Sequence, residues 1–509
     1  METLTLPLVQ EQPVQTKEIK IKEVVLVAPG NPRIQFGAII NLPLALLCLA
    51  GWLRRDERFK DKIRILDMNI QKITEADFKD VALIGLTAIT GHDIEFALQA
   101  ARMAKTVNPK VIVVWGGIHA SLMPEQTIAH ELVDVVAIGE GEETFRELVE
   151  SVMEEKDLAG IPGTWVKKDG NIVKGPARPI VDMNTLPLPA YDLVNVGHYH
   201  NIQRQFNYQS SRGCPYRCAF CYNVVFTARK WRSKSAPKII QELRYLHETY
   251  GVMNYIMDDD EFLINIKRAQ EVFQGIIDNH LNFTMTISCR LDMVQRIPEE
   301  MLHTMKKAGV KQIFFGAESG SETILKDILK DLKTEDILKG ANRVCKIGIR
   351  PVLSFMSGFP TETFDDFKQT LEIIEKLWQG HPLITVNGIF PFNPYPGTEL
   401  YHAAIKAGFK APKTLEEWGK WEFQYDPDHP WLDKKKRRWM QIAFYIVRFK
   451  YYLKRLEDRY DNDLKVRMLK VLVSPLLLSA KIRWNQKWFA AAWEWDLFAF
   501  IVRKTFRYL

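Results

Sequence analysis

Short runs of aliphatic and β-branched residues alternate with amphipathic segments along most of the chain. A run such as Glu-Val-Val-Leu-Val-Ala at residues 23–28 is typical of a strand that is buried on both faces. The intervening segments, such as residues 93–105, carry apolar residues at helical spacing. This alternation predicts an α/β chain in which helices cover both faces of parallel sheets.

The predicted strands and helices form two series. The first has strands at residues 23–28, 63–66, 81–86, 111–114 and 133–138, with helices at 42–53, 93–105 and 143–153. It fits a flavodoxin/Rossmann-like open sheet, whose ligands bind beyond the carboxyl ends of the strands. The second has strands near residues 208–211, 253–257, 284–288, 312–315, 351–356 and 385–390. Six repeats suit a partial (β/α)6 barrel with its chemistry at the same ends.

Breaks in this rhythm predict the domain boundaries, and 509 residues are enough for two or three domains. Residues 158–205 are interrupted by prolines, including Leu-Pro-Leu-Pro at 186–189, and are predicted to form an extended linker. The predicted division is a tail (1–20), a first α/β domain (21–157), the linker (158–205), the barrel (206–405) and a basic, aromatic helical extension (406–509).

Three cysteines, Cys214, Cys218 and Cys221, lie in the loop after the first predicted barrel strand. Three thiolates at this C-x3-C-x2-C spacing suit three irons of a [4Fe–4S] cluster and leave the fourth iron open. A structural zinc site normally has four ligands, and no fourth Cys or His follows at finger-like spacing. We therefore favour the cluster over zinc or chance clustering. The other three cysteines are predicted to be isolated buried thiols, so a disulfide framework is not expected.

The cysteine loop and the residues at later strand ends resemble the radical S-adenosylmethionine (SAM) enzymes. Four motifs at these strand ends are similar to landmarks of that family. They are Asp-Asp-Asp-Glu-Phe at 258–262, Gly-Ala-Glu-Ser-Gly at 316–320, Gly-Phe-Pro-Thr-Glu-Thr at 358–363 and Pro-Tyr-Pro-Gly-Thr at 394–398. The resemblance implies a [4Fe–4S] cluster and SAM as cofactors. It implies SAM contacts at Phe220, Asp259, Asp260, Arg290, Glu318 and Gly358. Taken singly, the acidic residues would equally suit a solvated turn or a helix N-terminus.

The N-terminal series resembles the cobalamin-binding domain attached to many radical SAM proteins. The residues that carry this likeness, and the predicted cobalamin contacts, are Thr87, Thr90, Gly116, Gly117, His119, Gly139 and Gly141. The Asp-x-His-x-x-Gly motif, whose His binds cobalt in many cobalamin enzymes, is absent. The resemblance therefore implies cobalamin without a His ligand to cobalt. The alternative is a degenerate Rossmann-like domain used for packing.

The C-terminal region has a different charge from the rest. Residues 434–509 carry 19 Lys and Arg against six Asp and Glu, whereas the net charge of the whole chain is only +7. No apolar run reaches the roughly 18 residues that span a bilayer. Basic helices with Trp and Phe suit a membrane interface, while a helical cap with a solvated basic face explains them equally well. A nucleic-acid partner is not expected. Without an apparent export signal, we predict a cytoplasmic protein, with peripheral contact at the inner membrane face as an option.

The combined resemblance implies a cobalamin-dependent radical SAM methyltransferase. Its expected reaction is C-methylation of an unactivated carbon of a large apolar molecule, either a bacteriochlorophyll-type tetrapyrrole or a hopanoid lipid. A reduced flavodoxin or ferredoxin is the expected electron donor. The alternatives are an oxidative cyclase or hydroxylase resembling Mg-protoporphyrin ester cyclase, and a non-enzymatic sensor or binding protein that carries the cluster.

Overall fold

The computed structural model describes residues 22–30, 41–203, 205–421, 429–459 and 464–505. It contains a seven-stranded N-terminal sheet, a six-stranded parallel sheet and a helical C-terminal region, as the predicted fold class requires. The strands are β1 Glu23–Ala28, β2 Ile63–Asp67, β3 Val81–Thr87, β4 Ile112–Gly116, β5 Val135–Ala137, β6 Thr164–Lys168, β7 Asn171–Lys174, β8 Phe206–Tyr208, β9 Ser211–Arg212, β10 Arg232–Ser233, β11 Asn254–Met257, β12 Thr284–Ser288, β13 Val310–Glu318, β14 Arg350–Ser357 and β15 Thr385–Pro391.

Helices connect most of the strands and form the C-terminal region. They are α1 Leu44–Leu53, α2 His92–Val107, α3 Gly117–Leu122, α4 Pro124–Ala129, α5 Glu142–Met153, α6 Val196–Gln203, α7 Asn223–Phe226, α8 Ala236–Tyr250, α9 Ile266–Asp278, α10 Leu291–Arg296, α11 Glu299–Lys307, α12 Glu322–Asp327, α13 Thr334–Lys346, α14 Phe364–Gln379, α15 Glu399–Lys406, α16 Leu415–Gly419, α17 Lys434–Arg459, α18 Leu464–Asn485 and α19 Trp493–Thr505. Short 3-10 turns occur at Glu57–Phe59, Glu75–Phe78 and Tyr191–Leu193.

The N-terminal sheet begins with five parallel strands in the order β2-β1-β3-β4-β5, which is the flavodoxin-like order. Alternate residues of β1 point to opposite faces. Val24 and Leu26 join the core on one side, whereas Val25 and Val27 join the core that includes Trp418 on the other. Burial of both faces explains why β1 is a continuous apolar run.

Part of the predicted linker is not extended chain. β6 and β7 form an antiparallel hairpin that adds two strands to the edge of the N-terminal sheet at β5. The turn between them is Asp169-Gly170, and both residues have positive φ angles, of 49° and 76°. An Asp-Gly pair between β-rich runs is a known hairpin signal.

The second sheet has six parallel strands in the sequential order β8-β11-β12-β13-β14-β15, which confirms the partial barrel. Different parts of the chain cover its two edge strands, β8 and β15. At β8, Asn207 exchanges hydrogen bonds with the backbone of Leu42, which lies before α1, at 2.9 and 3.2 Å. At β15, helix α17 packs on the strand, and its Ala443 and Val447 are buried. The barrel is therefore bounded by the N-terminal domain on one side and by the C-terminal helices on the other.

Candidate active site

The cysteine loop begins directly after β8 and β9, at the carboxyl end of the first barrel strand. Cys218 is buried, while Cys214 and Cys221 are half-buried. Gly213, which precedes Cys214, has a φ of +83°, and a Cβ atom there would lie 2.1 Å from the carbonyl oxygen of Lys230. Only glycine fits this turn, since both the backbone conformation and the space exclude a side chain.

Two adjacent carboxylates after β11 hold the base of the cysteine loop. The Asp259 carboxylate accepts hydrogen bonds from the backbone N–H and hydroxyl groups of Ser210 and Ser211, including 3.0 Å from Ser210 N and 2.6 Å from Ser211 Oγ. The Asp260 carboxylate accepts a 3.0 Å bond from the backbone N–H of Gly213. Burial raises the pKa of both groups. These bonds position the cysteines, and the predicted SAM contacts of Asp259 and Asp260 stay predictions.

Arg290, at the end of β12, joins the cysteine loop to the segment after α12. Its guanidinium lies 4.0 Å above the ring of Tyr216, and its Nη1 is 4.0 Å from Cys218 Sγ. The same group donates to Asp292 Oδ1 at 2.8 Å and to the carbonyl oxygen of Lys330 at 2.5 Å. Since protein atoms occupy these donors, Arg290 acts here as a support for the loop. Its predicted pairing with the SAM carboxylate stays a prediction.

A buried ion pair lies at the end of β13. Lys330 Nζ is 2.9 Å from Glu318 Oε1, and both side chains are less than a tenth exposed. Burial by itself would lower the pKa of Lys330, but the Glu318 carboxylate outweighs it and the pKa is raised. Glu318 has a φ of +61°, a conformation that is uncommon for a residue with a side chain and that often occurs at functional sites.

Phe220 and Gly358 line the barrel near the cysteine loop. The Phe220 ring lies 6.5 Å from that of Phe359 and 5.9 Å from Lys330 Nζ. Gly358 has a φ of +89°, and its carbonyl oxygen accepts a 2.9 Å bond from the indole N–H of Trp431. Around them an apolar cluster contains Ala219, Ile324, Leu325, Ile328, Phe359, Phe392, Leu400 and Ala404. The predicted SAM residues therefore lie at one end of the barrel, and a buried apolar core cluster packs beside the cysteines.

The predicted cobalamin residues lie at or beside the carboxyl ends of the N-terminal strands. Thr87 ends β3, Gly116 ends β4, and Gly139 follows β5. A Cβ atom at Gly139 would meet nothing within 4 Å, so the backbone there borders open space. Gly117 has a φ of +85°, and a Cβ atom there would lie 2.5 Å from Thr87 Oγ1.

His119 is a packing residue in this structure. Its Nδ1 lies 3.0 Å from the hydroxyl of Thr90, and its ring packs edge-on against Trp418 at 5.5 Å. The side chain is fully buried, and burial lowers its pKa to about 4. The Nε2 atom of His119 is buried and has no hydrogen-bond partner among the described residues, and the predicted cobalamin contact of His119 stays a prediction.

The Gly139–Gly141 loop and the start of α5 also contact the strands that flank the cysteine loop. Arg212, two residues before Cys214, pairs with Glu142 at 2.7 Å and lies 3.5 Å from Glu140. Arg232 also pairs with Glu140. A cavity of about 310 Å³ opens beside this contact, lined by residues that include Gly139, Glu140, Phe226 and Arg232. Helix α3 further contacts α7, which begins two residues after Cys221.

Two family models match the chain. The model of the radical SAM superfamily matches residues 208–374, and the model of the B12 binding domain matches residues 40–149. The chain is also 31% identical over 398 residues to the uncharacterized methyltransferase PH0819 of Pyrococcus horikoshii, and the match covers 76% of this chain and 84% of the relative. The chain belongs to the cobalamin-dependent radical SAM methyltransferase family.

Other relatives of this radical SAM methyltransferase are more distant. It is 24% identical to cytidylyl-2-hydroxyethylphosphonate methyltransferase of Streptomyces wedmorensis, over 68% of this chain and 70% of that protein. It is 26% identical to hopanoid C-3 methylase of Methylococcus capsulatus, over 71% and 68%. Its fold matches that of the radical SAM methyltransferase TsrM from Kitasatospora setae with a TM-score of 0.62, at 18% identity, over 76% of this chain and 77% of that one.

The cofactors of the family are a [4Fe–4S] cluster, SAM and cobalamin, and the residues of this radical SAM methyltransferase fit them. In the described part of the chain, no three His, Cys, Asp or Glu side chains converge on a point that would hold a single metal ion. A cubane cluster does not need such a point, because each cysteine binds a different iron. Burial raises the pKa of Cys214 to about 11 and of Cys221 to about 12, so a cationic cluster is what would stabilise their thiolates.

Three charged residues around this site were not among the predicted site residues. Glu261 accepts a 2.7 Å bond from the backbone N–H of Arg290, and burial raises its pKa to about 8. Lys330 pairs with Glu318, and Lys436 of α17 pairs with Glu362 at 3.0 Å. Glu261 lies within a motif that was already singled out. Lys330 and Lys436 carry no local signal, because each acquires its partner only when separate segments pack together.

Proposed function

We propose that this enzyme transfers a methyl group to an unactivated carbon of a large apolar molecule. The observation that carries the proposal is the direct contact between the predicted cobalamin-binding edge and the strands that flank the cysteine loop. Arg212 forms an ion pair with Glu142 and stands two residues before Cys214. A methyl donor and a hydrogen-abstracting centre must act on the same carbon, so their sites must border a common space.

The chain's own residues would organise that space. Cys214, Cys218 and Cys221 would hold the cluster, with Arg290 and the Asp259–Ser211 bonds fixing the loop around them. When bound, the cluster and SAM supply hydrogen-atom abstraction, and cobalamin supplies the methyl group. The described part of α17 packs along β15 and limits access of water from that side of the barrel.

The apolar substrate, a bacteriochlorophyll-type tetrapyrrole or a hopanoid, is supported by one relative that is named a hopanoid C-3 methylase. Phe359 and Phe392 beside the cysteine loop are fully buried and stabilise the barrel core, so their apolar character does not bear on the substrate. The relative from S. wedmorensis is named for a polar cytidylyl phosphonate. The compounds that are tested as substrates must therefore include a polar one. A reduced flavodoxin or ferredoxin would deliver the electrons.

A substrate of this kind favours a cytoplasmic enzyme in peripheral contact with the inner membrane face. In the described residues, no helix is long and apolar enough to cross a membrane. Within the basic segment at the start of α17, Lys436 and Trp439 are buried. The membrane contact that we propose therefore does not depend on these two residues.

The test combines cofactor analysis with isotope transfer. Protein purified anaerobically from a cobalamin-supplied host is expected to contain about one corrin per chain, read from its UV–visible spectrum. With reduced flavodoxin and SAM that carries a deuterated methyl group, a tetrapyrrole or hopanoid product is expected to gain the labelled methyl. A product that gains a ring or oxygen without the label would replace methyl transfer with cyclisation or hydroxylation. Protein with an intact cluster and no corrin would overturn the proposed reaction.

Cys218→Ala and Cys345→Ala form a matched pair for this test. Cys218 lies in the loop, whereas Cys345 is a buried thiol on α13. Cys218→Ala is expected to lose the cluster and SAM cleavage while keeping its corrin. Cys345→Ala is expected to keep the cluster, SAM cleavage and the corrin.

A further inference from the structure

Helix α18 is apolar on two opposite faces. On the inner face, Ala480 and Trp484 are buried, and Trp484 packs against Trp378 of α14 with ring centroids 4.5 Å apart. On the outer face, Leu464, Val471 and Leu472 are 70%, 75% and 76% exposed. Met468, Leu478 and Ile482 are also exposed. A helix that needed only one apolar face for packing would carry polar residues at these outer positions.

The exposed residues form a continuous stripe. At 100° per residue, residues 464, 468, 471, 472, 475, 478 and 482 fall within one sector of about 120° along α18. Helix α19 has a second stripe of the same spacing, in which Trp493, Leu497, Phe500 and Ile501 are exposed. Ser479 and Arg483 of α18 both bond to Glu494 of α19, so the two helices are held together.

The charged residues of α18 itself all have one sign. Helix α18 contains no Asp or Glu, and its basic residues are Lys465, Arg467, Lys470, Lys481 and Arg483. By the same helical geometry, Arg467 and Lys481 border the stripe on one side and Lys465 borders it on the other. An apolar stripe with cationic borders is complementary to a surface that has an apolar interior beneath anionic groups.

We propose that the outer face of α18, extended by that of α19, docks on the surface of an anionic lipid bilayer. This proposal deepens the membrane contact proposed above and does not depend on the reaction. The long basic side chains at the borders would reach the headgroups while the apolar stripe enters the acyl boundary. No described helix meets the requirements for crossing a membrane, so α18 would lie in the plane of the interface. An RNA partner would not need a stripe of leucines.

The test is flotation of the full-length protein with vesicles of phosphatidylcholine and of phosphatidylcholine with phosphatidylglycerol. Wild type is expected to float with the anionic vesicles and to bind neutral ones at least about tenfold more weakly. Leu472→Glu/Leu478→Glu is expected to lose about tenfold or more of the binding, because each glutamate places a charge within the stripe. The control is Ile405→Glu, at a 41% exposed apolar residue on α15, which is expected to bind like wild type. The triple variant Lys465→Gln/Arg467→Gln/Lys481→Gln is expected to bind anionic vesicles more weakly than wild type. Its binding is also expected to depend less on the salt concentration.

Each other outcome overturns the proposal in a distinguishable way. If wild type does not float, the membrane contact itself is wrong, whatever the enzyme methylates. If the glutamate variant floats like wild type, the membrane contact stands but this surface does not carry it. If light scattering shows a wild-type dimer that the glutamate variant abolishes and vesicles do not dissociate, a second copy of the chain occupies the stripe. Near-wild-type circular dichroism and SAM cleavage would establish that the glutamate variant is folded.

Discussion

Lys436 Nζ lies 3.0 Å from Glu362 Oε2, and both side chains are buried. Glu362 belongs to the Gly-Phe-Pro-Thr-Glu-Thr turn after β14, where it also accepts bonds from Ser357 Oγ at 2.8 Å and from the backbone N–H of Gly358. Lys436 belongs to the first turn of α17. One ion pair therefore attaches the C-terminal region to a turn that bears a predicted SAM residue.

Replacing Lys436 by Met is expected to destabilise the protein by about 3–5 kcal/mol, because the Glu362 carboxylate would remain buried without its cation. The measurement is chemical unfolding followed by circular dichroism. Lys435→Met is the matched control, since Lys435 is exposed and its ammonium lies 5.0 Å from the ring of Phe364. It is expected to change the free energy of unfolding by about 0.5 kcal/mol or less.

The double variant Lys436→Met/Glu362→Gln completes this test. It is expected to be more stable than the sum of the two single changes predicts, because neither buried charge then remains unpaired. Strict additivity would mean that the two side chains do not interact in solution.

His119 predicts a dependence of stability on acid pH. Burial holds its pKa at about 4 in the folded protein, against about 6.5 in an unfolded chain. The unfolded state therefore binds a proton first as the pH falls, so this contribution is present above pH 6.5 and is lost on acidification towards pH 4. Between pH 7 and pH 5 the loss is expected to be about 2 kcal/mol. Urea unfolding at both pH values should show a smaller loss in His119→Asn; equal losses would contradict the assignment.

A variant of His119 also tests the prediction that cobalamin binds without a His ligand to cobalt. Because Thr90 and Trp418 enclose the His119 ring, His119→Asn is expected to leave the corrin content and the cobalt coordination unchanged. The cob(II)alamin EPR spectrum of both proteins should lack hyperfine splitting from an axial nitrogen. Nitrogen splitting in wild type that disappears in the variant would identify His119 as a ligand.

Replacing Gly213 is expected to impair assembly of the iron–sulfur cluster. Gly213→Ala would place a methyl group 2.1 Å from the carbonyl oxygen of Lys230, in a left-handed backbone conformation, so the turn before Cys214 must shift. Bound iron and sulfide are expected to fall severalfold after anaerobic reconstitution. Gly251→Ala is the control, because Gly251 also has a positive φ, of 65°, but a Cβ atom there meets nothing within 4 Å. It should cost about 1 kcal/mol of stability and leave the iron content unchanged.

Buried strands could be predicted from the sequence, because their apolar runs are a local signal. The predicted barrel strand at residues 284–288 has the observed bounds, and the strand predicted at 81–86 extends to Thr87. The hairpin of β6 and β7 was missed although its Asp169-Gly170 turn is also a local signal, because the surrounding prolines favoured extended chain.

The alternation that makes two parallel sheets and the spacing of the three cysteines follow from the amino-acid sequence, because periodicity and short spacing are properties of neighbouring residues. The partners of the charged groups depend on how the chain folds. Asp259 bonds to Ser210 and Ser211, and Arg212 pairs with Glu142, across 48 residues or more of chain. Burial makes each of these charges depend on a partner, and the fold alone brings that partner from a distant segment.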